Sequence, residues 1–174
     1  GDQGMYYRQL PVTQAAPATI AATVKNGGTA TLHQVRLTGT ITLNGTTYGP
    51  FTSEVLAELL PGEKTEIAIA TGWQPDATGH ATITITGTTD ETDDAPEDDA
   101  SSSTIQYTGA GWDDGYSVMS CDAEQVTGGV GGTGGFIAFN RMEIANTGDH
   151  AMGISVRYTN QTAVDAVVRA ILMD

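Results

Sequence analysis

The chain has 174 residues, enough for one domain with its own core, or for one domain and a small second unit. It carries 21 acidic residues against 7 basic ones, a formal net charge of −14. That balance argues against nucleic acid as a partner, because a phosphate backbone is bound by Lys and Arg that displace counterions, and it disfavours anionic membrane surfaces for the same reason.

Aromatic residues make up only 6% of the chain, so a core must rest on Val, Ile, Leu, Ala and Met. The single cysteine, Cys121, has no partner for an internal disulfide and no catalytic signature around it. No apolar run approaches the ~20 residues that span a bilayer, so membrane insertion is not expected. The chain opens Gly1-Asp2-Gln3 without an initiator Met. It is therefore expected to begin inside a longer reading frame, with a signal peptide removed from a secreted or cell-surface protein.

In chain order, a first strand is expected over residues 5–10. Ile20, Ala22 and Val24 then alternate with small or polar residues, up to the turn Asn26-Gly27-Gly28. Residues 35–43 give the cleanest period of two. Val35, Leu37, Ile41 and Leu43 point one way; Arg36, Thr38, Thr40 and Thr42 point the other. Asn44-Gly45 is a strong hairpin signal, since both turn positions favour positive φ, and Thr46-Thr47-Tyr48 starts the return strand. Residues 54–60 fit either one helical turn or a strand edge. After the turn Pro61-Gly62, Ile67 and Ile69 mark a strand; Ala81, Ile83 and Ile85 mark the next; Ile105 and Tyr107 mark a short last one. Between these last two, residues 90–99 are acidic and read as a solvated loop or hinge.

The character changes after Thr108. Residues 109–114 read as a loop, Tyr116 and Val118 as a short strand, and residues 127–135 as a glycine-rich loop. Further strands are expected near residues 137–144, 152–158 and 164–172, and the chain stops directly after the last of them. The reading is an all-β protein. Residues 1–108 form an immunoglobulin-like β-sandwich of about seven strands. Residues 109–174 form a smaller, truncated β unit, part of a jelly roll. That unit is expected to dock on the first, or to pair with another copy as a homodimer that covers its open strands.

Parts of residues 1–108 resemble the CARDB group, the adhesion-type immunoglobulin-like modules of exported archaeal and bacterial proteins. The phrases that carry the likeness are Val24-Lys25-Asn26-Gly27-Gly28, Leu60-Pro61-Gly62-Glu63 and Trp73-Gln74-Pro75, followed by Gly79 and the Ile83/Ile85 strand. The acidic run before the last strand also fits, with Asp98-Asp99 where the group often has paired Asn. The opening Met5-Tyr6-Tyr7-Arg8-Gln9-Leu10-Pro11 is similar to linked modules in large secreted proteins of Bacteroidetes-type bacteria. In these, Trp112-Asp113-Asp114-Gly115 resembles the start of a second, jelly-roll-like unit. The resemblance implies a non-catalytic accessory role.

Candidate chemistry is sparse. Gly129-Val130-Gly131-Gly132-Thr133-Gly134 has the dinucleotide glycine spacing, but strand-like residues follow it where a helix is required. His33, His80 and His150 show no zinc spacing, and no Gly-x-Ser-x-Gly elbow frames a serine. No cofactor is expected. Calcium is weighed for Asp90, Asp93, Asp94, Glu97, Asp98 and Asp99, which offer oxygen ligands but lack the EF-hand order and its glycine; a solvated loop is the favoured reading. Trp73 is expected to pack in the sandwich or to cover its end. Trp112, Asp113, Asp114 and Tyr116 form the candidate ligand-binding set: an aromatic face stacks on a sugar ring while carboxylates take its hydroxyls. The same carboxylates serve equally well as loop caps. The expected function is a non-enzymatic structural or adhesion module of a multidomain protein. It would contact a protein or glycan surface and other domains of the same longer chain. The alternative is a carbohydrate-binding accessory module of a secreted hydrolase.

Overall fold

The computed structural model describes residues 7–92, 98–110, 119–120, 144–146 and 148–154. Eight strands run through them: β1 (Gln9–Pro11), β2 (Thr19–Lys25), β3 (Leu32–Leu43), β4 (Thr46–Thr52), β5 (Leu56–Leu59), β6 (Lys64–Ala70), β7 (Gly79–Thr88) and β8 (Ala100–Thr108). The protein is all-β, with a 3-10 turn at Val12–Gln14 among the described residues.

The β3–β4 hairpin forms where the sequence places it. Asn44 and Gly45 take φ of 50° and 83°, the primed turn whose twist matches the flanking strands. One sheet has the order β1-β8-β7-β3-β4, with β5 also paired to β3; the second is the antiparallel pair β2-β6. Antiparallel β7, β3 and β4 run side by side, β2 pairs β6, and β1 lies parallel on β8. This is the strand order of an immunoglobulin-like sandwich. Ile20 and Ile69 from the small sheet meet Leu37, Ile41, Leu43, Ala81 and Tyr107 from the large one, and all of these are buried. The sheets close over Gly39. A Cβ there would stand 2.9 Å from Ile20 Cδ1 and 3.4 Å from Ile69 Cδ1, so a larger residue would push these side-chain ends aside. Trp73 covers one end, its ring 5.2 Å from Tyr48 and 6.0 Å from Tyr107, as expected for a packing residue.

Residues 54–60 resolve as strand rather than helix: β5 continues along the edge of β3 beyond β4, pairing Leu59 with Leu32 and Leu56 with Val35. Val35 and Leu59 are each 1% exposed, which is the burial that holds this segment extended. The first strand is shorter and later than residues 5–10. It begins at Gln9, where backbone pairing with β8 becomes available, and residues 1–6 lie outside the described residues. The last strand is longer than Ile105 and Tyr107 suggest. Residues 100–103 join it because β7 offers partners as far as Thr86, whatever the apolarity of the serines.

Beyond Thr108, residues 109–110, 119–120, 144–146 and 148–154 are described. Among them, residues 151–154 form no strand, and Met152 and Ile154 are exposed, so the alternation there is not realised as a ladder. The other strands expected after Thr108 lie outside the described residues, as do Cys121 and the glycine run 129–134. The described residues touch the sandwich at its opening segment. The Ser120 carbonyl accepts from the Arg8 and Gln9 amides (2.8 and 3.0 Å), and the Ser120 amide donates to Gln9 (2.9 Å). Gln14, 6% exposed, donates its amide to Asp149 and accepts from the Asn146 amide (2.9 Å). Thr13 adds a hydroxyl to Asp149 at 3.1 Å.

Candidate functional site: a polar groove at the kink of β3

The sequence-predicted ligand residues Trp112, Asp113, Asp114 and Tyr116 lie outside the described residues. So do Asp93, Asp94 and Glu97 of the acidic run. Its remaining members, Asp90, Asp98 and Asp99, are described, and no group of three His, Cys, Asp or Glu able to hold a metal occurs among the described residues. His150 is exposed, two residues beyond Gly148 in the turn, and His80 lies 3.4 Å from the amide of Gln106.

A different set of polar side chains comes together where β3 kinks. Gln34 has φ of 53°, in the left-handed region that a non-glycine residue adopts at a cost of about 1–3 kcal/mol. The kink lies within the stretch paired with β5, between His33 opposite Glu58 and Val35 opposite Leu56, and the β7 pairing begins just after it at Arg36. Arg36 lies directly opposite Thr88 on β7. Gln34, Arg36, Thr88, Thr89 and Asp90 line one open groove.

The wall of this groove is held by a clasp. The Asp90 amide donates to the His33 carbonyl at 3.1 Å. The Glu91 carboxylate then takes the His33 amide on one oxygen (2.7 Å) and His33 Nδ1 on the other (2.6 Å). The Thr89 hydroxyl closes the loop onto the Glu91 carbonyl at 3.3 Å. The hydrogen bond to Glu91 raises the His33 pKa above its ordinary value; partial loss of water around the ring works against this, and the charges of Glu91, Glu58 and Asp90 add to the rise. Glu91 is held below the usual carboxylate value, first by the His33 amide and then by its imidazole. Both groups are at the surface, so the pair fixes geometry more than it stabilises the fold.

The sign of the pH dependence follows. A raised His33 contributes fully below its unfolded value, and that contribution is lost as pH rises through its folded pKa. A depressed Glu91 contributes above its unfolded value and loses that as pH falls through its folded pKa. The clasp is complete between the two folded values. The His33 ring protons are expected to titrate above 6.5, and Glu91→Gln is expected to bring the midpoint back toward that value. A wild-type NMR midpoint at or below 6.5 would contradict the clasp.

The groove opens onto the outer face of the large sheet. Rows of hydroxyls cross it: Thr38 opposite Thr86 and Thr52, Thr40 opposite Thr84, Thr42 opposite Thr82 and Thr47, and Thr82 opposite Thr104. Threonine suits a solvent-facing strand position, so the rows follow from β propensity alone. Arg36 is the charged member of the β3 outward row, and that interruption is the signal in the sequence that points to the groove.

Set against protein-family models and curated proteins, the chain matches none.

Proposed function

We propose that the chain is a non-catalytic structural and adhesion module of a multidomain secreted or cell-surface bacterial protein. The observation that carries this reading is the joint at Gln14. A buried side chain of the sandwich hydrogen-bonds both Asp149 and Asn146 of the following unit, beside the Gln9–Ser120 bridge. A module that spaces or presents its neighbours must fix their orientation, and a side chain held in the sandwich that bonds two separate partners supplies such a fixed point. The immunoglobulin-like strand order and the phrases shared with the CARDB group support the same reading. So does the use of the buried polar side chains: among the described residues none of their buried nitrogen or oxygen atoms lacks a partner, and those of Asn26 and Ser53 bond chiefly to backbone.

The test is an electron-spin distance measurement between labels at Thr46 and His150, in a background in which Cys121 is Ser. A narrow distribution is expected, broadening in Gln14→Ala. A broad distribution in the parent protein would overturn the reading of a fixed joint.

A further inference from the structure

We propose that the groove at the β3 kink binds an acidic sugar, with Arg36 taking its carboxylate and Asp90 and Gln34 taking ring hydroxyls. This deepens the adhesion reading by naming a ligand class, and it rests on that reading.

Three observations carry it. Arg36 is exposed, and its guanidinium makes no hydrogen bond or ion pair among the described residues, in a chain where carboxylates outnumber cations 21 to 7. Such a guanidinium is a ready two-pronged donor for a planar carboxylate. The Gln34 backbone is held in a left-handed conformation by the β5 pairing on one side and the Asp90–Glu91 clasp on the other, which places its side chain in the groove beside Arg36. Finally, the face that continues from the Arg36–Thr88 pair is built of neutral hydroxyls on β3 and β7. An anionic glycan therefore meets one cation, with the Asp90 carboxylate in the same groove facing its hydroxyls, and then an uncharged track, while charges farther off are screened beyond about 10 Å at moderate salt.

The chemistry favours a sugar over the other anions. A phosphate polymer takes several cations, and the groove lining holds one. A peptide anchors through apolar side chains, whereas Gln34, Thr88, Thr89 and Asp90 offer amide, hydroxyl and carboxylate groups suited to a polyol.

The experiment is an NMR titration of the full chain with trigalacturonate, its methyl ester, and a glutamate-rich peptide of equal charge. Trigalacturonate is expected to shift the amides of Gln34, Arg36 and residues 88–90. Arg36→Gln is expected to weaken binding by about tenfold or more, because a point of bidentate contact is lost, and Arg36→Lys is expected to restore part of it. The methyl ester is expected to bind as weakly as Arg36→Gln binds the acid. Because Arg36 is exposed, the unshifted remainder of the spectrum confirms that the variants are folded. No shift with millimolar trigalacturonate, equal binding by Arg36→Gln, or binding of the peptide in preference to the sugar would each overturn the assignment. None of these outcomes touches the fixed joint, which the spin-label distance tests separately.

Discussion

Asn26→Ala is expected to lower the unfolding free energy by about 3 kcal/mol, the cost of leaving buried backbone groups without partners. Asn26 is 1% exposed and directly follows β2. Its amide nitrogen donates to the carbonyls of Ala30 (2.8 Å) and Leu59 (2.9 Å), and its side-chain oxygen accepts from the Gly28 amide (2.9 Å). Its backbone pairs with Glu63 and Gly62. One side chain thus ties the turn after β2 to the end of β5 and the turn before β6. Alanine removes the side-chain bonds and keeps those of the backbone. Asn26→Asp is expected to fare worse at neutral pH, because a carboxylate would face two carbonyl oxygens in a buried site, and to recover partly in acid as the group protonates. Urea unfolding measures both: a midpoint shift at unchanged slope is expected. A shift below about 1 kcal/mol for Asn26→Ala would show that water replaces the amide at little cost.

Ile41→Ala is expected to cost about 3–4 kcal/mol, within the range for large-to-small changes in a packed core. Ile41 is 1% exposed and lies in the buried cluster shared by the two sheets. Among the described residues the small sheet has two strands, so the apolar seam between the sheets is narrow, and the loss of one of its largest side chains leaves few neighbours to close the cavity. Leu60→Ala is the control. Leu60 is 54% exposed, and its truncation is expected to change stability by less than about 0.5 kcal/mol. Equal effects in the two variants would mean that the sheets are not packed through Ile41.

The strands that the sequence reveals most clearly are those whose burial is decided by immediate neighbours. Along β3, Val35, Leu37, Ile41 and Leu43 are buried and Arg36 is exposed, because a pleated strand against one core alternates its faces regardless of what lies farther off. The Asn44–Gly45 turn is equally local. By contrast, β5 carries too short a pattern to separate strand from helix, and pairing with β3 settled it. The serines at the start of β8 have weak strand propensity, yet β7 holds them extended through its ladder.

The groove belongs to the same second kind. Arg36 and Thr88 are distant in the chain and become neighbours through register, and Glu91 reaches His33 across 58 positions. Gln14 meets Asp149 across 135. The candidates centred on Trp112 stand out because an aromatic and two carboxylates adjoin in sequence, the kind of clustering visible along a linear chain. The all-β class, the inward and outward faces of the long strands and the primed hairpin are legible in the residues alone, because propensity and period act over a few residues. The kink at Gln34, the His33–Glu91 clasp, the placing of Arg36 opposite Thr88 and the Gln14 joint come from long-range pairing, because each depends on which distant backbones pair and in what register.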